Sequence, residues 1–227
     1  LVVGSGIAFA ILAKKLTVAA AIAGALVCTS IFIGVGWTGV ALMTAFFVMG
    51  TLVTSWKKKP KEVLGLAQEN KGRRTTGQVL ANGGAGGVLG LMAIIFPQQA
   101  SLFLLLVAAA FSSATADTIS SELGSVYGRR FYDVLSFRKV QPGPDGVISG
   151  EGLLFGIIGS AVIAAIYSIA EGWPHNFDWI VLAGTIGNLA DSYLGAILER
   201  RQIIGNDAVN FLNTAIATLV AFLLYAV

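Results

Sequence analysis

The sequence predicts an all-α polytopic transmembrane bundle of about eight helices, the first short or truncated, with a weak internal repeat and a single domain over residues 1–227. Three observations lead there. Apolar residues fill 56% of the positions and charged residues 12%, which leaves too little polar surface to cover one soluble core. The apolar residues gather into segments at about 1–13, 16–35, 37–56, 77–96, 99–116, 149–170, 178–198 and 208–227, most of them near the ~20 residues that cross hydrocarbon as helix. All fifteen Lys and Arg fall in four of the seven connections, alternating with three connections that carry none.

The chain opens at Leu1 rather than Met, so the short first segment reads as the remainder of a longer helix or as the sequel to a targeting peptide. Lys14 and Lys15 close it, and the next two segments part at Gly36. Cys28, alone in the second, offers no disulfide framework and reads as a buried inert thiol. A connection of about 57–76 follows, with Lys57, Lys58, Lys59, Lys61, Lys71, Arg73 and Arg74; its lysine run suits anionic lipid headgroups. Segments four and five part at Pro97, and a second long connection, about 117–148, carries Arg129, Arg130, Arg138 and Lys139 before the turn Pro142-Gly143-Pro144-Asp145-Gly146. Segments six and seven part near Pro174; Arg200 and Arg201 precede the last. Because cytoplasmic loops retain Lys and Arg, the four basic connections are placed on the cytoplasmic or stromal side and both termini opposite, with Trp56, Trp173, Phe177 and Trp179 as interfacial anchors. That rule accounts for every cation, so the net charge of +3 gives no reason to invoke nucleic acid as a partner.

Ionisable groups at membrane depth persist where they face partners or a wet cavity, and this selects Asp117 and Asp191. Helical spacing puts Asp117 with Ser121 on one face, Thr118 with Glu122 on a neighbouring one, and Asn188, Asp191 and Gly195 on a third, so three carboxylates can meet in one pocket. Oxygen ligands without His or Cys suit Mg²⁺, and the single His175 is expected on the opposite face. Ion pairs with Arg or Lys that hold the bundle together explain the same acids equally well. Arg74, Gln78 and Asn82 form a polar stripe running into Gly83-Gly84-Ala85-Gly86-Gly87; the glycines serve either close helix packing, at GxxxG spacing that also permits a homodimer, or a phosphate approaching backbone amides. Asn206, Asn210 and Asn213 share a face of the last helix and are expected to line a cavity beyond what capping requires. The repeat pairs Ala116-Asp117-Thr118 with Ala190-Asp191-Ser192, and Gln78 and Asn82 with Asn210 and Asn213.

Read together, the stretches Gly72-Arg73-Arg74-Thr75-Thr76-Gly77-Gln78-Val79-Leu80-Ala81-Asn82-Gly83-Gly84, Ala116-Asp117-Thr118-Ile119-Ser120-Ser121-Glu122-Leu123-Gly124, Pro142-Gly143-Pro144-Asp145-Gly146-Val147-Ile148-Ser149, Asp191-Ser192-Tyr193-Leu194-Gly195-Ala196 and Asn206-Asp207-Ala208-Val209-Asn210-Phe211-Leu212-Asn213 resemble the integral-membrane phytyl-phosphate kinase family of the vitamin E pathway. Pro144 stands where that family often has Thr, and Glu199 where it often has Gln. The resemblance implies transfer of a γ-phosphoryl from CTP to a prenyl monophosphate such as phytyl phosphate, at a plastid or cyanobacterial membrane. It implies that Asp117, Glu122 and Asp191 hold Mg²⁺, that Arg73, Arg74 and Lys139 contact phosphates, that Gln78, Asn82, Gly83, Gly84, Asn210 and Asn213 shape the nucleotide or phosphate pocket, and that Asp145 and Gly146 form a covering turn. The acceptor is already an anion, so catalysis reduces to alignment and charge neutralisation. A lipid-phosphate cytidylyltransferase would use the same groups and release pyrophosphate. An ion-coupled transporter fits the repeat and the intramembrane acids, although the polar groups crowd one face.

Overall fold

The computed structural model describes residues 15–57, 73–172 and 175–227. The first segment, most of the 57–76 connection with Lys58, Lys59, Lys61 and Lys71, and Trp173 with Pro174 lie outside them. Six helices long and apolar enough to cross a membrane occur among the described residues, so the count of eight is not confirmed.

Helix α1 (Val18–Ser55) runs for 38 residues, which as a straight rod would measure ~57 Å against ~30 Å of hydrocarbon. It is a hairpin instead. Gly36 sits at φ 75°, a left-handed conformation that costs glycine nothing, and the chain reverses there. The two arms return to one end: Lys15 Nζ donates to Ser55 Oγ at 3.0 Å, and Arg74, whose backbone N donates to Lys15 O at 2.9 Å, lays its guanidinium against Gly50. The arms are the two sequence segments predicted on either side of Gly36.

Helix α2 (Thr76–Ile95) opens with a reciprocal capping box between Thr75 and Gln78. Its glycines pack it on α1. A Cβ at Gly90 would lie 2.7 Å from Ser30 O, Gly87 and Gly83 lie against Val27, and Ser30 Oγ donates to Gly87 O at 3.1 Å. Helix α3 (Ala100–Tyr127) is the axis of the bundle: 89% of its most apolar window is buried, and Phe103 to Ala116 is covered all round. It runs through Asp117 and ends at Gly128, so the predicted connection begins about ten residues later than its loss of hydropathy suggested. Ser120, Ser121 and Glu122 lower the hydropathy but line a cavity, and the helix continues beneath them.

Three short antiparallel strands, β1 (Phe131–Asp133), β2 (Lys139–Val140) and β3 (Val147–Ser149), in the order β2-β1-β3, follow in what was expected to be irregular connection. Ser149 caps α4 (Gly150–Glu171), its Oγ accepting from Gly152 N at 3.0 Å. Helix α5 (His175–Leu194) continues into a π-turn at Gly195–Glu199, and α6 (Asn206–Tyr225) closes the chain. Small residues again set the close approaches: Gly184 abuts Ser112 and Ser160, and Gly156 abuts Ala116 O and the Asn188 amide.

The two ends of the bundle differ. At one, Trp56 Nε1 donates to Tyr127 OH at 2.9 Å and Lys57 lies over the Tyr127 ring, close to Arg73, Arg74 and the Lys15–Ser55 bond. At the other, Thr38 just past the Gly36 turn donates to Glu171 at 2.9 Å. Basic connections thus gather at one end, the alternation that retention of Lys and Arg in cytoplasmic loops produces.

Candidate functional site

The basic end holds two adjoining cavities. The larger, about 290 Å³, is walled by Asp117, Ser120, Ser121 and Glu122 of α3, by Asn188, Asp191 and Ser192 of α5, and by Gly195 and Glu199 of the π-turn, with Pro142–Ser149 as a roof. The smaller, about 110 Å³, is walled by Arg74, Gln78 and Asn82, by Asp117, Thr118 and Ser121, and by Asn206 and Asn210 of α6. Asp117, Ser121 and Asn206 belong to both.

At this shared wall the two acids of the internal repeat meet: the Asp117 and Asp191 carboxyl groups lie side by side. Asn213 Nδ2 donates to Asp191 Oδ1 at 2.7 Å, and Ser113 Oγ donates to Asn213 Oδ1 at 3.0 Å. Asp191 is therefore fixed from behind by a buried chain that starts on α3. Asn213 and Ser113 are both fully buried, so this chain has no water to replace it. Two carboxylates in contact repel unless a counter-charge lies beside them, which makes the pair a natural seat for a divalent cation.

The roof is pinned. Arg200 Nη1 pairs with Asp133 Oδ2 at 2.7 Å, its Nε donates to Asp145 O at 3.0 Å, and its Nη2 donates to the same oxygen. Asp133 Oδ1 accepts from Leu135 N, Ser136 N and Ser136 Oγ. The bond from Arg200, with those from Ser136, lowers the Asp133 carboxyl to about 2. Gly146, at φ 76°, lies directly on Ala196 and the Ser192 carbonyl, seating the turn on α5.

Arg74 is held differently. Its guanidinium lies 4.9 Å from the Phe46 ring centroid and 5.7 Å from that of Phe47. Burial lowers it to about 10, opposed by the charge of Glu122, so it stays a cation at neutral pH.

Several expected site residues fall elsewhere. Gly83 and Gly84 line neither cavity; they pack on Val27 and Phe211, the packing alternative for the glycine run. Arg73 donates to Leu16 O at 3.4 Å, tying the chain entry to α1, and Lys139 is exposed on β2. Asn213 stands behind Asp191 and lines neither cavity. Among the described residues no three His, Cys, Asp or Glu side chains form a metal ligand set. Asp117, Glu122, Asp191, Asp145 and Gly146 do converge on the larger cavity, and Arg74, Gln78, Asn82 and Asn210 on the smaller. Glu199 and Asn206 also line the site side by side; nothing local in the sequence marks them as a pair.

Comparison with known proteins decides the family. The sequence matches the family described as integral membrane protein DUF92 over residues 1–218. The chain belongs to the DUF92 family. It is an integral membrane protein. This DUF92 chain is 34% identical over 196 residues to "Protein VTE6, chloroplastic" of Arabidopsis thaliana, an alignment covering 83% of this chain and 59% of that one. An uncharacterized membrane protein of Synechocystis is 29% identical, covering 84% of this chain and 75% of its own. An uncharacterized membrane protein of Methanocaldococcus jannaschii is 32% identical over 84% and 77%. The chloroplastic and cyanobacterial relatives fit a plastid or cyanobacterial membrane. The chain spans about 59% of the length of VTE6. No solved structure matches.

Proposed function

We propose that this DUF92 protein is a prenyl-phosphate kinase, transferring the γ-phosphoryl of a nucleoside triphosphate, CTP, to phytyl phosphate or a related prenyl monophosphate. One observation carries the reading: the Asp117–Asp191 carboxyl pair stands between an acid-lined cavity under a polar roof and a cavity holding a cationic Arg74. The motif resemblance to phytyl-phosphate kinases supports the same chemistry.

The donor set fits Mg²⁺, which prefers one or two carboxylates with water and phosphate oxygens completing its shell. Asp117 and Asp191 would hold it, with Asn213 fixing the second of them. When bound, the ion supplies neutralisation of charge on the transferred phosphoryl group. The chain does the rest. An acceptor phosphate oxygen attacks the γ-phosphorus, the bond to the β-phosphate oxygen breaks, and the nucleoside diphosphate leaves with the electron pair. No proton has to be removed from the nucleophile, which accords with a site whose wall carries acids and amides and no histidine. The roof, held by Arg200, limits water as a competing acceptor.

The test is purified protein in liposomes with phytyl phosphate, Mg²⁺ and γ-labelled CTP, with label counted in the lipid phase. Labelled diphosphate is the expected product, and Asp117→Asn is expected to abolish it while still accumulating in the membrane. Release of pyrophosphate instead would establish a cytidylyltransferase, and no nucleotide consumption would remove the enzyme reading.

A further inference from the structure

The two cavities differ in charge, size and access, and the reading above does not say which reactant each receives. The Arg74 cavity presents one guanidinium, the amides of Gln78, Asn82, Asn206 and Asn210, and the Thr118 and Ser121 hydroxyls. Among the described residues, the larger cavity presents Glu122, Asp145 and Glu199 besides the acid pair, with no Lys or Arg in its wall. At about 290 Å³ it approaches the ~300 Å³ at which ligand pockets begin, whereas about 110 Å³ admits a phosphate group and excludes a nucleotide.

Two side chains in the smaller cavity are open. Arg74 has the Phe46 and Phe47 rings on its faces, and among the described residues no hydrogen-bond acceptor is recorded for its guanidinium. Asn82, 9% exposed, donates its Nδ2 to Gln78 O at 3.0 Å, while among the described residues its Oδ1 has no hydrogen-bond partner. A buried amide oxygen left open is costly unless a ligand donates to it. A phosphate monoester, singly protonated below its second pKa of about 6, offers oxygens to the guanidinium and a hydroxyl to Asn82.

Access separates the cavities as well. The smaller is bounded by α2 and α6, whose next residues, Leu80 at 46% and Phe211 at 43% exposure, face outward as apolar surface, and Gly84 and the Phe211 ring close the seam above them. The larger is bounded by the strand-and-turn roof at the basic end. A prenyl tail dissolved in lipid reaches its phosphate site between helices; a water-borne nucleotide enters past a loop.

Resting on the kinase reading, we infer that the Arg74 cavity is the acceptor site, taking the monophosphate head of the lipid with its tail along the α2–α6 seam, while the roofed acid-lined cavity takes the metal-bound nucleotide. Transfer then passes across the wall at Asp117. Arg74 and Asn82 are acceptor-specificity residues, and their loss acts on the lipid rather than on the nucleotide.

The experiment measures equilibrium binding of phytyl phosphate without nucleotide, and KM for lipid and for CTP, in Arg74→Gln, Arg74→Lys and Asn82→Ala. Removing a charge-assisted contact to phosphate is expected to weaken phytyl phosphate binding about 10- to 100-fold in Arg74→Gln, with KM for CTP within about twofold. Arg74→Lys recovers part of the binding. Asn82→Ala removes no charge and serves if Arg74→Gln fails to accumulate; it too raises the lipid KM alone. If the wild type transfers label and these variants raise KM for CTP, or for both reactants equally, the assignment of cavities is overturned and the kinase reading survives. If the wild type neither binds phytyl phosphate nor transfers label, both fall.

Discussion

Gly146→Ala is the sharpest probe of how the roof is seated. At φ 76° an alanine occupies the left-handed region at a cost of ~1–2 kcal/mol. Its Cβ would also meet the Ala196 Cβ first and would lie 2.8 Å from Ser192 O and 2.9 Å from Ala196 Cα, where ordinary contact begins near 3.4 Å, so the turn must retreat. Backbone atoms of α5 cannot rotate away, and such overpacking adds ~1–3 kcal/mol. The roof is peripheral, so the strain is relieved by its release rather than by unfolding of the bundle. Even ~2 kcal/mol raises the open population about 30-fold. Hydrogen exchange and limited proteolysis at residues 142–146 should report this directly, and transfer activity should fall by about 10- to 100-fold as the site loses its cover. Gly150→Ala, where nothing lies within 4 Å of the added Cβ, is the matched control and should leave both unchanged. A Gly146→Ala protein whose turn exchanges like wild type would refute the seating of the roof on α5.

Three further outcomes follow from the geometry. Asp133 has its carboxyl lowered from its ordinary value to about 2, so its pairing with Arg200 holds the roof at neutral pH and is lost as pH falls from about 4 towards 2; Asp133→Asn should give roof exchange that no longer changes across that window. Asn213→Ala frees Asp191 Oδ1 from its 2.7 Å donor and is expected to lower kcat about 10- to 100-fold with KM for the lipid little changed; an unchanged kcat would show that Asp191 needs no support. Gly90→Ala drives a methyl to within 2.7 Å of Ser30 O between α1 and α2 and should lower the melting temperature of the detergent-solubilised protein, an effect that Gly150→Ala should lack.

What the sequence determined by itself was the membrane class, the alternation of basic and cation-free connections, and the acids and amides that gather at one end. Those features are local in their physics. A run of apolar residues must be helical in lipid wherever it packs, and an ionisable group at that depth marks a wet or partnered position. The Gly36 reversal was legible as the gap between two segments, although the two arms form one helical hairpin. The meeting of Asp117 with Asp191 was foreshadowed by their repeated surroundings. The tertiary structure alone decided the rest. Helix α3 continues past Asp117 with Ser120, Ser121 and Glu122 lining a cavity, which hydropathy cannot register. Gly83 and Gly84 serve packing because Val27 and Phe211 arrive from other helices. Arg200 closes on Asp133 across 67 positions of chain. Single polar atoms gain their roles from neighbours distant in sequence, so the division of one polar end into two cavities of opposite character is a property of the packed bundle.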